Sequence, residues 1–136
     1  MQPSAPLVPH RAPLLLIDSV LAADAEHCTT LTRVDPGAWY ADPGGAMPGW
    51  FGLELMAQTV AAYSGSRQQG QAPRFGYLAG VREYLCAEPS FAAGDLLEVT
   101  ARLTYADPLG LSAFACELRR EGALLASATL KVFESE

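Results

Sequence analysis

The fold is decided by the stretch MPGWFGLELMAQTVAAY, which runs from Met47 to Tyr63. After its Pro-Gly opening it predicts one helix, because Leu, Met, Ala and Gln are good helix formers. Apolar residues occupy nearly every face of this helix, which is typical of a helix surrounded by the rest of the protein. We expect it to extend from about Trp50 to Arg67 and to end in the polar segment that follows.

Two polar side chains, Glu54 and Gln58, interrupt the apolar run. They are four residues apart and therefore share one face of the helix. A carboxylate in apolar surroundings is costly unless it is paired, hydrogen-bonded or protonated, so Glu54 is a candidate acid or base. The glycine-rich segment 42–49 places backbone N–H groups beside it at the helix N-terminus, where a carbonyl or an oxyanion could bind. A structural alternative, in which Glu54 points out through a gap or caps a neighbouring backbone, stays open.

The composition limits the class of protein. A chain of 136 residues that is 50% apolar suits one globular domain, residues 1–136. The net charge of −6 and the scattered nine basic residues argue against nucleic acid as a partner. No apolar segment is long enough for a signal peptide or a membrane span, and three cysteines without CxxC spacing favour free thiols over a disulfide framework or a zinc site. We therefore expect a cytoplasmic protein without a metal or other cofactor.

Strand patterns occupy most of the chain on both sides of the helix. Before it, a buried strand over 14–21, interrupted at Asp18-Ser19, and a returning strand over 27–34 predict a hairpin, followed by an irregular loop over 35–48. After it, a long extended segment over 75–85 precedes three strands with alternating apolar residues. The residues predicted to face inward in these strands are Leu97, Val99, Ala101, Leu103, Tyr105, Phe114, Cys116, Leu118, Leu124, Ala126, Ala128, Leu130 and Val132.

One helix in so short a chain cannot be buried on all sides by separate elements. The simplest solution is an α+β fold in which a curved antiparallel β-sheet wraps around one long central helix. Such a sheet leaves an edge strand open, and pairing of edges in a homodimer would close it.

Three segments carry a resemblance to a known family. They are VPHRAPLLLID (8–18), MPGWFGLELMAQ (47–58) and a third that runs from LAGV (78–81) through Pro89 to Gly94-Asp95. In this order they resemble the hotdog-fold 3-hydroxyacyl-[acyl carrier protein] dehydratases of the FabA/FabZ type. The helix is most similar to that of the ApeP-like proteins of aryl-polyene gene clusters.

The resemblance implies roles for particular residues. Glu54 matches the catalytic acid, Gln58 the helix glutamine, and Gly49 the amide that polarises the thioester carbonyl. The family's catalytic histidine lies about nine residues before that glycine, where this chain has Tyr40, and the loop contains no histidine. We therefore expect His10 to supply the second proton-transfer group, and Tyr40 and Trp50 to contact the substrate. Family members that keep the loop histidine also carry this Pro-His-Arg, so a structural role for His10 stays open.

Three activities are compatible with this pattern. The first is a dehydratase that acts on a 3-hydroxyacyl thioester of acyl carrier protein, in fatty-acid or aryl-polyene synthesis. The second is a hotdog thioesterase in which the helix carboxylate activates water or attacks the carbonyl. The third is a subunit that binds acyl chains or acyl carrier protein without catalysis. In each case the resemblance implies a homodimer or a hetero-oligomer with another hotdog subunit.

Overall fold

The computed structural model describes residues 2–4, 14–67 and 75–135, of which 75–77 and 135 are described by their backbone alone. Its elements are β1 (Gln2–Pro3), β2 (Ser19–Ala23), β3 (His27–Arg33), β4 (Met47–Pro48), α1 (Phe51–Arg67), β5 (Phe75–Cys86), β6 (Ser90–Phe91), β7 (Leu96–Ala106), β8 (Leu111–Arg120) and β9 (Ala123–Ser135). The helix begins within one residue of the predicted start and ends at the predicted residue.

Seven strands form one antiparallel sheet in the order β1-β2-β3-β7-β8-β9-β5. The helix packs against six of them, which are β2, β3, β7, β8, β9 and β5. Every helix residue before Arg67 is buried or half-buried, as the apolar pattern predicted. This arrangement of one helix held by a curved antiparallel sheet is the hotdog fold, and the predicted fold class is confirmed.

Strands β4 and β6 form a separate two-stranded ladder that places the start of the helix. Met47 pairs with Phe91 and Pro48 pairs with Ser90. The ladder continues for one more bond, in which Gly49 N donates to Pro89 O at 2.8 Å. The loop before the helix is therefore attached to the turn between β5 and β6, and the helix N-terminus is fixed relative to the sheet.

The inward faces follow the predicted alternation except at irregular positions of the ladders. Tyr105 was expected to point inward but is 52% exposed, because the register of β7 against β8 shifts between Leu103 and Tyr105. Leu124 is 46% exposed and Leu125 is buried instead, since β8 and β9 change register at the start of β9. A bulge changes the alternation locally, so that residues on its two sides follow different inward patterns, and period-two reasoning does not anticipate it.

The strand predicted over 14–21 forms only in its second part, since residues 14–17 lie outside any strand and β2 begins at Ser19. The amides of Leu16 and Ile17 donate to the side-chain Oε1 of Gln58, at 2.8 and 3.3 Å, instead of to a neighbouring strand. Leu16 and Ile17 are buried, so their apolar pattern was genuine. Their backbone hydrogen bonds are supplied by a helix side chain, which is why the pattern of a strand is present without the strand.

Candidate active site

Gln58 is completely buried, and its amide group makes four hydrogen bonds. Besides accepting from Leu16 and Ile17, it donates from Nε2 to Leu14 O at 2.7 Å and to Glu54 Oε1 at 3.0 Å. A glutamine amide offers two N–H donors and two acceptor positions, so its capacity is fully used. A flipped amide would set N–H against N–H at Leu16, and the orientation of the group is therefore determined by its surroundings.

Glu54 is half-buried in the first turn of the helix, directly above Gln58 on the same face. The N-terminal turn of a helix favours an anion through the aligned peptide dipoles. Because Gln58 Nε2 donates to Oε1, this oxygen of the carboxyl group is an acceptor, and the bond orients the side chain. The two polar residues that the sequence singled out are thus in direct contact, in the arrangement that their four-residue spacing predicted.

The Gly49 amide has a backbone partner. Its N–H donates to Pro89 O, and the expected contact of this amide with a thioester carbonyl stays a prediction. A side chain at Gly49 would also have its Cβ 2.7 Å from Glu88 O and 3.0 Å from Pro89 O, which explains the glycine by close packing of two backbones. Within the described ranges, the next two amides, of Trp50 and Phe51, make no backbone hydrogen bond.

Four aromatic rings surround the start of the helix. Phe51 contacts the rings of Trp39, Tyr40 and Trp50 at centroid distances of 5.5, 5.8 and 6.0 Å. The Tyr40 ring is buried, and its hydroxyl accepts from Asp35 N at 2.9 Å, while burial raises its pKa. These contacts give Tyr40 a packing role. Trp50 is 70% exposed and is available for contact with a ligand, which stays a prediction.

The two histidines differ in what the structure says of them. His10, the predicted second proton-transfer group, lies outside the described residues. His27 is partly exposed, and its Nδ1 lies 2.9 Å from Asp24 Oδ1 at the β2–β3 turn. The backbone amides of Glu26 and His27 that donate to Asp24 lower the pKa of that carboxyl. His27 is therefore accounted for by its contact with Asp24 at the turn.

Two features near the helix start were missed by sequence reasoning. Tyr84 Oη donates to Gly49 O at 2.6 Å. Arg120 binds Glu88 through both terminal nitrogens, at 2.7 and 3.0 Å, and Asp95 at 3.0 Å, and these hydrogen bonds raise its pKa. Arg120 thereby joins the turns on either side of β6. Neither contact has a local sequence signal, because each joins positions far apart in the chain.

Over the described ranges, the structure has no helix long and apolar enough to cross a membrane and no cluster of three or more metal-ligating side chains. Fold and site together define a hotdog protein with a carboxylate at the N-terminal turn of its central helix, held by a buried glutamine.

Comparison with known proteins makes this class specific. The model of the ApeP-like family, described as ApeP dehydratase, matches residues 2–136, and the chain belongs to that family. The 3-hydroxyacyl-[acyl-carrier-protein] dehydratase FabZ of Bartonella quintana (strain Toulouse) is 33% identical over 131 residues, which cover 91% of this chain and 82% of the relative.

Solved structures agree with the assignment. A chain of the dehydratase heterocomplex ApeI:P from Xenorhabdus doucetiae superimposes with a TM-score of 0.92 at 26% identity, over 100% of this chain and 93% of the other. A hypothetical thioesterase from Streptococcus pneumoniae TIGR4, solved with coenzyme A, has a TM-score of 0.69 at 13% identity, over 86% of this chain and 84% of the other. The second likeness shows the fold alone.

Proposed function

We propose that this protein removes water from a 3-hydroxyacyl thioester carried by acyl carrier protein, with Glu54 as its catalytic carboxyl. The observation that carries the proposal is the Glu54 carboxylate in the first helical turn. Its Oε1 accepts a hydrogen bond from the Gln58 amide, whose other donor and acceptor positions are all used by the backbone. The family assignment and the name of the Bartonella relative support the reaction class.

The dehydration needs a base, an acid and a place for negative charge. The base removes a proton from C2, and the electron pair of that C–H bond moves into the thioester carbonyl. The resulting enolate oxygen accepts hydrogen bonds from backbone amides at the helix N-terminus, for which Trp50 and Phe51 supply the donors. The C3–O bond then breaks as the acid protonates the departing hydroxyl. The products are an enoyl thioester and water.

In our assignment Glu54 is the acid, because it matches the catalytic acid of the related dehydratases and its carboxyl is oriented by the bond from Gln58 Nε2 to Oε1. His10 is the base that takes the C2 proton, since its ordinary pKa of about 6.5 suits proton transfer near neutral pH. After each turnover the imidazolium returns its proton to the Glu54 carboxylate through water. Both groups then stand in their starting forms, and no proton is gained or lost.

The chain connection supports His10 in this role. Leu14 O and Glu54 Oε1 both accept from Gln58 Nε2, so the chain at Leu14 lies one amide group away from the carboxylate. His10 is four positions before Leu14 in the chain, a distance of at most ~14 Å when extended. The tether therefore allows His10 to reach Glu54 within one subunit, as well as across an interface.

The test is turnover of a 3-hydroxyacyl thioester, with enoyl product and free thiol measured separately. Enoyl product without thiol release is expected, whereas thiol release alone would identify a thioesterase. Glu54→Gln keeps an acceptor for Gln58 but loses the ionisable proton, and we expect turnover to fall about a hundredfold or more. Gln58→Ala should cost less turnover per folded molecule, because it removes the group that orients the carboxyl and not the proton; its loss of stability must be measured beside it. Full activity in Glu54→Gln would refute the proposal.

A pH profile tests His10 independently. With two proton-transfer groups, kcat/KM depends on pH through two ionisations, and His10→Asn should remove the one that belongs to the imidazole and lower the plateau. His27→Asn is the matched control, since His27 is bound at a turn and should change neither. A His10→Asn profile that superimposes on the wild type would exclude the histidine.

The assembly is part of the proposal. Strand β5 ends the sheet, and its exposed Leu78, Val81 and Leu85 make a long apolar edge of the kind that pairs with another chain. The partner is a second copy or another hotdog subunit, and the heterocomplex from Xenorhabdus doucetiae supports the latter. Light scattering on the purified chain decides between them: a dimer supports self-pairing, and a monomer that associates only with a second subunit supports hetero-assembly.

A further inference from the structure

Tyr84 reaches the start of the catalytic helix from the edge of the sheet. It lies near the C-terminal end of β5, is half-buried, and donates from Oη to Gly49 O at 2.6 Å. The same carbonyl accepts from Gly52 N at 3.1 Å, in the first turn that leads to Glu54. Gly49 is therefore held on both sides: its N–H donates to Pro89 O, and its carbonyl accepts from the Tyr84 hydroxyl.

A bulge in β5 directs Tyr84 inward. Arg82 pairs with Thr129 and Leu85 pairs with Ser127, so two residues of β5, Glu83 and Tyr84, stand opposite one residue of β9. Glu83 has a φ of 55°, in the left-handed region that a glutamate rarely adopts and that costs on the order of 1 kcal/mol or more. Bulges of this kind re-aim a side chain.

The helix has a glycine at the position that faces the Tyr84 hydroxyl. A Cβ at Gly52 would overlap Tyr84 Oη, so the glycine leaves the space that the phenol occupies. Glycine is about 1 kcal/mol less favourable than alanine inside a helix. The left-handed Glu83 and the helical Gly52 are two separate costs to stability, and both serve the placement of one hydroxyl group. Such costs concentrate where geometry matters for function.

We propose that Tyr84 is a positioning residue for the dehydration, whose hydroxyl fixes the Gly49 carbonyl and thereby the place of the Glu54 carboxyl relative to the substrate. The inference rests on the proposed function. Reacting groups must be held within about 0.5 Å, and a displacement of about 1 Å can cost on the order of a hundredfold in rate. The bond from Tyr84, on the sheet, to Gly49, five positions before Glu54, restrains the position of the Glu54 carboxyl through the first turn of the helix.

The phenol stays a hydrogen-bond donor under working conditions. Burial raises the pKa of Tyr84 well above its ordinary value, and the neighbouring Cys86 adds to the rise. The hydroxyl therefore remains protonated across the range in which the enzyme is assayed, and it keeps donating to Gly49 O. Tyr84 itself takes no part in the proton transfers.

The helix supplies a matched control at its other end. Tyr63 Oη donates to Ala25 O at 2.7 Å, also a bond from a phenol to a backbone carbonyl that ties the helix to the sheet. Tyr84→Phe and Tyr63→Phe each remove one such bond and leave the ring. Similar decreases in melting temperature are expected for both, whereas only Tyr84→Phe should lower kcat, by about tenfold or more, with KM nearly unchanged. Equal kcat values in the two variants would overturn the proposal.

A double variant separates position from stability. In Tyr84→Phe the hydroxyl is gone, and a Cβ at residue 52 would meet the ring carbon Cζ at 3.4 Å, an ordinary contact. Adding Gly52→Ala should therefore raise the melting temperature again, because alanine favours the helix. The low kcat should persist, since the bond to Gly49 O is still absent. Recovery of kcat together with the melting temperature would show that Tyr84 acts on stability alone.

Hydrogen exchange gives a readout that needs no turnover. Exchange of the backbone amides of Gly52 and Leu53 should accelerate about tenfold or more in Tyr84→Phe and should not change in Tyr63→Phe, since local opening is governed by nearby bonds. Unchanged exchange in Tyr84→Phe would overturn the inference even if the enzyme is active. A wild type that makes no enoyl product would overturn the proposed function, while the exchange comparison would still decide whether Tyr84 positions the helix start.

Discussion

Replacement of Gln58 by leucine should destabilise the protein by an amount that follows from its hydrogen bonds. Leu has nearly the volume of Gln, so the main loss is of partners for the buried amides of Leu16 and Ile17, at 2.8 and 3.3 Å. A buried group left without a partner costs about 1–3 kcal/mol, the longer bond less. The Leu14 residue is 61% exposed, and water can satisfy its carbonyl. After the gain from a more apolar side chain, we expect a net loss of about 2–3 kcal/mol.

This loss is measurable as a shift in melting temperature. For 136 residues the entropy of unfolding is about 0.3 kcal/mol/K, so Gln58→Leu should melt roughly 7–10 °C lower than the wild type. The comparison must use one protein concentration, because association contributes to stability. A decrease below about 2 °C would refute the hydrogen-bond reasoning.

Gln58→Glu refines the test through its pH dependence. The carboxylate still accepts from Leu16 and Ile17 but faces Leu14 O and Glu54 without a proton to donate, so its folded-state pKa should lie above the unfolded value of about 4.3. The folded state then binds more protons than the unfolded state between these two values, and stability falls as pH rises through this window. The deficit relative to the wild type should be small near pH 4 and largest above the raised pKa; an equal deficit throughout would contradict the reasoning.

Three further predictions concern packing, thiols and charge. Gly49→Ala should lower the melting temperature markedly, since the new Cβ would lie 2.7 Å from Glu88 O. An unchanged melting temperature would mean that the turn between β5 and β6 moves to make room for the methyl group. Burial raises the pKa values of Cys28 and Cys116 to about 12. Brief alkylation of the native protein at pH 8 should therefore modify only Cys86, whereas alkylation of the unfolded protein should modify all three cysteines, as counted by mass spectrometry. Labelling of Cys28 or Cys116 in the native protein would contradict this. Arg120→Gln should lower the melting temperature at low salt more than at high salt, because it leaves two adjacent carboxylates unpaired; a salt-independent effect would exclude the electrostatic cause.

The parts of the fold that depend on local pattern could be predicted from the sequence. The helix over Phe51–Arg67 follows from its helix-forming residues after the Pro-Gly start, and the inward face Leu97-Val99-Ala101 follows from a period of two residues. The spacing of Glu54 and Gln58 likewise predicted their contact. These features need no information about distant residues.

The parts that depend on distant residues could not be predicted. The segment over Leu14–Ile17 has the composition of a strand, but its backbone partners lie on a helix side chain more than 40 positions away. The role of Tyr84 depends on a bulge, and the role of Gly49 on the carbonyl of Pro89. Nothing local in the sequence indicates that the backbone of residues 88–89 approaches Gly49 so closely.

The hydrogen bonds of Gln58 also decide which substitution isolates the chemistry. Gln58 completes the backbone of the segment before β2 and orients Glu54 with the same amide group, so any change at Gln58 alters stability and catalysis together. Glu54 is different, because glutamine in its place still offers a carbonyl oxygen to Gln58 Nε2, and the four bonds of the buried amide can all persist. A loss of turnover in Glu54→Gln at an unchanged melting temperature can therefore be assigned to the missing proton. The same loss in a Gln58 variant can be assigned only after its stability has been restored.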